Sequence, residues 1–121
     1  MLIEEEIAAS STRAVLHSLS FPVHRNGYNH LLLAITRYAQ GDMPSLTKEL
    51  YPYVAKAFGY VDWYPIEHSI RTVILDAWKN GDPQTWAVYF PHRDKAPSNK
   101  LLIATLAEQL QENTPPVSGR G

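Results

Sequence analysis

The sequence predicts an all-α domain of six helices that contains a helix-turn-helix. Three observations carry this. Apolar residues recur at three- and four-residue spacings, and no stretch alternates convincingly with period two. Gly and Pro stand singly, at intervals that suit helix ends and first turns. Between Pro52 and Trp78, small Ala55 and apolar Phe58 precede Gly59, a polar corner follows, and Ile66 and Ile70 open a second apolar stripe. Gly59 fits a tight turn that needs a positive φ, which Gly adopts without strain. In such a pair of helices the second can lie in the major groove of DNA.

The first helix covers roughly 10–19 and stops before Phe21-Pro22; its register can be continued back through 4–7. The second runs from about Gly27 to Gln40, with Leu31, Ala34, Ile35 and Tyr38 on one face and Gly41 as its stop. The third starts near Ser45, a good N-cap, and ends at Phe58. Pro52 lies inside it, so either the helix kinks there or a fresh helix begins with Pro52 in its first turn. The fourth spans about 62–79, with Asp62 as cap and Pro65 in the first turn, where no intrahelical N–H bond is lost. Asn80-Gly81 ends it. A short fifth helix covers 83–90, and after the polar loop 91–97 a sixth runs from Ser98 to about Glu112.

Helical geometry sorts the fourth helix into faces. Ile66, Ile70, Val73, Ile74 and Ala77 form the core stripe. Tyr64, Glu67, His68, Arg71 and Leu75 recur on another face, the one that would meet DNA. Arg and Glu are common readers of guanine and cytosine edges. An ordinary solvated face has the same spacing, so spacing alone leaves both readings open.

Composition narrows the classes. At 121 residues with 45% apolar content the chain suits one folded domain: residues 1–9 an N-terminal extension, 10–112 the domain, 113–121 a disordered, Pro- and Gly-containing tail. No Cys is present, which excludes disulfides and thiolate metal sites and fits a reducing cytoplasm. The N-terminus lacks the basic flank and apolar run of a signal peptide. Leu31–Ile35 is too short to span a bilayer, so no membrane contact is expected. Net charge is −1, which counts against non-specific DNA affinity unless the few cations share a face.

Catalytic and metal readings fail on geometry. None of the five His residues pairs at i, i+4 with another metal ligand, so no metal or cofactor is expected. His17 reads as a packed or helix-surface residue, His30 as a surface residue of the second helix and His92 as a loop residue. Glu67-His68-Ser69 has the residue types of a hydrolytic triad, but adjacent helical residues point about 100° apart and cannot bond in series. The glycines are isolated helix punctuation rather than a phosphate loop. The chain is therefore not expected to be an enzyme. Trp63 and Tyr64 in the corner could stack on a base or sugar, or pack on a partner.

Read with its flanks, the chain resembles the C-terminal effector domain of the stage-zero sporulation protein A family, from about residue 11 to 111. The matching blocks are Phe21-Pro22-Val23-His24 into Gly27-Tyr28, Ser45-Leu46-Thr47-Lys48, Leu50-Tyr51-Pro52 into Val54-Ala55-Lys56 and Phe58. They continue with Ile66-Glu67, Ile70-Arg71, Ala77-Trp78 and Pro97-Ser98-Asn99. The resemblance implies a transcription regulator of sporulation that binds double-stranded operator boxes, with two copies pairing on the DNA. It implies that Glu67, His68 and Arg71 read bases, with Tyr64 beside them. It places His24, Arg25 and Asn26 on the DNA backbone. Ser45, Thr47 and Lys48 open the third helix where phosphate can be held, and Lys79 adds a cation. The family carries Arg where this chain has His68, and an ordinary imidazole cannot make Arg's two-bond fork to guanine. The corner 60–65 is about one residue longer and bulkier than the family's, and Leu75 replaces an acidic residue. The receiver domain of the family's regulators is not expected in this chain. The departures keep a second reading open: a divergent paralogue that acts as a protein-interaction module on the full-length regulator or RNA polymerase.

Overall fold

The computed structural model describes the backbone of residues 2–113 and the side chains of residues 6–111. Within these limits the domain is all-helical, without a strand. The helices are α1 (Leu2–Ser18), α2 (Asn26–Tyr38), α3 (Tyr51–Ala57), α4 (Tyr64–Asn80), α5 (Pro83–Tyr89) and α6 (Asn99–Asn113), with a π turn over Leu46–Leu50. Residues 2–9, expected as an extension, are continuous with α1. The tail expected to be disordered lies, beyond Asn113, outside the described residues.

α2 is the centre of the fold: α1, α3, α4 and α6 all pack on it. Leu16, Leu31, Ile35, Leu50, Ile66, Ile70, Ile74, Leu102 and Ile103 are fully buried together. Each such side chain contributes about 1.5–3 kcal/mol by leaving water. A second aromatic cluster closes the C-terminal end of α4. Trp86 packs edge-on against Trp78 at 5.1 Å and beside Phe21 and Phe90. Its indole N–H donates to the Leu19 carbonyl at 3.2 Å, so the buried ring leaves no donor unpaired.

Pro52 begins a fresh helix. Leu50 N–H bonds back to Ser45 O, and Tyr51 N–H to Leu46 O, both i→i−5. A proline ring collides with the carbonyl four residues back, and the wider turn makes room for it. Ser45 caps the turn as expected. Its hydroxyl accepts from Lys48 N–H at 3.2 Å while its own N–H donates to the Glu49 carboxylate at 2.9 Å.

α3 ends in a Schellman turn. Gly59 has φ +82°, and the N–H groups of Gly59 and Tyr60 bond to Lys56 O and Ala55 O. α4 then starts differently from the expectation. Its N-cap is Trp63, with no side-chain cap bond, and Asp62 is an exposed corner residue. The indole of Trp63 stacks on buried Tyr51 at 5.8 Å, and Tyr64 stacks on Trp63 at 4.9 Å. Burying these ring faces outweighs the ~1 kcal/mol of an Asp cap. Gly27 is more than helix punctuation. A Cβ there would collide with the Ser69 carbonyl oxygen and lie 2.8 Å from Val73 Cγ1. The backbones of α2 and α4 approach closely at this point, with the Val73 side chain beside them, and only Gly fits.

Candidate nucleic-acid interface

α4 is the second helix of the helix-turn-helix, and successive residues are turned by about 100°. Ile66, Ile70, Val73, Ile74 and Ala77 are buried, as their spacing requires. The opposite edge is a ridge of His68, Thr72, Leu75 and Lys79, at intervals of four, three and four. His68, Leu75 and Lys79 are exposed, and Thr72 turns its hydroxyl back to the His68 carbonyl at 3.0 Å.

One flank of this ridge faces α2. Asp76 pairs there with Arg25 at 3.1 Å, which ties the start of α2 to the side of α4. His24 and Asn26 are exposed on either side of Arg25. Deeper on the same flank, Ser69 meets His30, which is buried rather than on the surface. α2 is covered by several helices, so its buried arc is wider than the leucine stripe suggests. His30 Nδ1 and the Ser69 hydroxyl share a hydrogen bond at 2.6 Å, and the hydroxyl oxygen also lies 3.1 Å from the Ile66 carbonyl. Burial holds the imidazole pKa below its ordinary value. Phe58 and Tyr60, from the corner, stand edge-on to the ring at 4.8 and 5.5 Å.

The other flank opens into a groove of about 850 Å³ between α4, the π turn and the loop before α6. Tyr64, Glu67, His68 and Arg71 all line it, so the structure brings the four expected base readers together. They do not point alike. Tyr64 is 67% exposed. Arg71 is half-buried and donates from Nη1 to the Pro97 carbonyl at 2.7 Å. Its guanidinium is thus turned sideways to the loop, away from the ridge. Asn99 answers from α6, with its amide N–H₂ donating to Glu67 O at 3.2 Å and to the Tyr51 hydroxyl at 3.1 Å. Burial raises the Tyr51 pKa, and the Asn99 bond opposes that shift.

Of the backbone-holding set, Thr47 and Lys48 are exposed on the π turn and Ser45 is half-buried. The Ser45 N–H and hydroxyl are already engaged by Glu49 and Lys48, so this turn has spent part of its capacity for phosphate. The π turn reaches the groove through Leu46, whereas His24, Arg25 and Asn26 lie at the α2 flank and Lys79 at the far end of the ridge. Sequence reasoning missed Arg93, Lys95 and Lys100, which also line the groove. The signal was present in the Arg93-Asp94-Lys95 run between two prolines.

Among the described residues no helix is long and apolar enough to cross a membrane, and no three His, Asp or Glu side chains converge as metal ligands. A family model described as "Sporulation initiation factor Spo0A C terminal" matches residues 12–110, which includes the whole helix-turn-helix and both flanks of α4. The chain belongs to the Spo0A C-terminal family of DNA-binding sporulation effector domains.

Proposed function

We propose that this protein is a cytoplasmic, sequence-specific regulator of sporulation genes that binds operator boxes in duplex DNA and performs no catalysis. The observation that carries this is the exposed ridge of α4, flanked by cationic side chains, in a domain of a DNA-binding family. Glu67, His68 and Tyr64 would read bases, with the ridge in the major groove. His24, Arg25, Asn26, Thr47, Lys48 and Lys79 would hold phosphates, which fix register without reading sequence. Two copies would pair on tandem boxes.

A second reading has its own support. Val61 is 99% exposed, and Tyr64 and Leu75 add apolar surface beside it and along the ridge. A partner protein, RNA polymerase or a full-length regulator of the same family, could cover this surface. Titrating salt against binding to the family's operator box and to random duplex separates the two. A steep salt dependence with a large preference for the box is the expected result. Absence of binding to both duplexes at low salt would overturn the regulator reading in favour of the interaction module.

A further inference from the structure

The groove beside α4 is predominantly cationic: Arg71, Arg93, Lys95 and Lys100 line it against one acid, Glu67. Arg25 is paired with Asp76, and Arg37 with Asp42, but neither Arg93 nor Lys95 forms an ion pair with a described residue. Both side chains line the groove, and Asp94 between them does not. Arg93 bends its Nε–H back to Lys95 O at 3.3 Å, which folds the loop on itself and leaves the other guanidinium N–H groups facing solvent. The loop is also anchored. Pro97, at its end, is buried, and its carbonyl accepts from Arg71. Asn99 pulls in the opposite sense on Glu67 O. Two side-chain-to-backbone bonds, one in each direction, therefore fasten the base of the loop to the recognition helix.

Placement gives this loop a role. A helix in the major groove has a phosphate strand on either side, about 12 Å apart across the groove. Arg25 stands at one flank of α4, and Arg93 and Lys95 stand at the other. We propose that the loop between α5 and α6 is a second phosphate-holding arm of the DNA interface, with Arg93 and Lys95 as its contact residues and Arg71 as the residue that positions it. This rests on the DNA-binding reading and extends it to residues outside the helix-turn-helix. Arg71 then acts through the Pro97 carbonyl and reads no base.

The test is the salt slope of binding on the full chain, with helical circular dichroism and melting temperature as fold controls. Each phosphate contact contributes about 0.9 to the slope of log K against log salt. Arg93→Gln with Lys95→Gln should lower the slope by about 1.8 and weaken binding by roughly 60-fold at 0.1 M salt, converging at 1 M. The loss should be equal on the operator box and on random duplex. Arg71→Ala should produce a similar loss alone and little further loss in the Arg93→Gln, Lys95→Gln background, as coupled sites do. If the wild type binds no duplex, the DNA reading itself fails. If the wild type binds and the loop variant keeps its slope, the second arm is refuted. If Arg71→Ala shifts base preference, or still lowers the slope by one in the loop-neutral background, Arg71 touches DNA and its positioning role is refuted.

Discussion

His30 and His68 are both single histidines on helices, and the structure gives them opposite surroundings. His30 is enclosed by Ser69, Phe58 and Tyr60. Its pKa is depressed in the fold, so as pH falls below about 6.5 the unfolded chain takes up the proton first. Stability is full above that value and declines toward the lower folded-state pKa, by up to about 1.4 kcal/mol per pH unit. The melting temperature should therefore drop between pH 6.5 and 5.5, and His30→Leu should flatten that dependence. A wild type whose melting point is unchanged over this window would count against it. His68 is exposed on the ridge. Arg in its place would supply the two-bond fork to guanine, worth roughly 1–3 kcal/mol. His68→Arg should raise affinity for the family's box by about ten- to a hundredfold at fixed salt. An unchanged affinity and base preference would show that residue 68 does not face DNA. The exposure of His68 was legible from helical spacing. The burial of His30 was not, because it depends on how many helices cover α2.

At the scale of elements, the sequence located the helices well where apolar spacing and a single Gly or Pro agree, as at Gly41, Gly59 and Gly81. It was less decisive where two local rules compete. Pro52 allowed a kink or a new helix, and the π turn over Leu46–Leu50 settles it by widening the backbone ahead of the ring. Asp62 had the chemistry of a cap, but the stacking of Trp63 on Tyr51 sets the start of α4 one residue later. The contact of α2 with α4 at Gly27 could not be read at all, since it joins positions more than forty residues apart. Gly27→Ala should cost about 1–3 kcal/mol, because the added methyl meets a backbone carbonyl that cannot rotate away. Urea unfolding measures this. The same variant should weaken DNA binding, since any relief shifts α4. Full stability in Gly27→Ala would mean the two helices separate more easily than their packing implies.

Over the whole molecule, charge is arranged rather than abundant. A net charge of −1 hides a division between cations paired with acids and cations along the groove that form no ion pair with a described residue. The candidate site was half legible. Tyr64, Glu67, His68 and Arg71 came from one helix with one period, whereas Arg93 and Lys95 reach the groove through a loop without periodicity and Lys100 from the first turn of α6. Tertiary contact also turns Arg71 aside, which spacing cannot foresee. The pairing of Arg25 with Asp76 suggests a charge test. Both side chains are more than a third exposed, so the pair contributes only ~0–1 kcal/mol to stability. Asp76→Asn should leave the melting point nearly unchanged and free Arg25 for phosphate. Binding to the box and to random duplex should then tighten by the same factor. A change in their ratio would instead place residue 76 against a base.

Gly27 against Ser69, and His30 against the same serine, fasten α4 to α2 independently of the corner that leads into it. The recognition helix is thus mounted from behind, and Val61 and Asp62 serve as slack between two fixed points, Tyr60 in the Schellman turn and Trp63 stacked on Tyr51. Slack can be lengthened at little entropic cost. Two residues inserted after the fully exposed Val61 should lower the melting temperature by only a few degrees and leave operator choice intact. That would make the corner a site for a fluorophore or a peptide tag within a few residues of the DNA, carried by a helix whose aim it does not set.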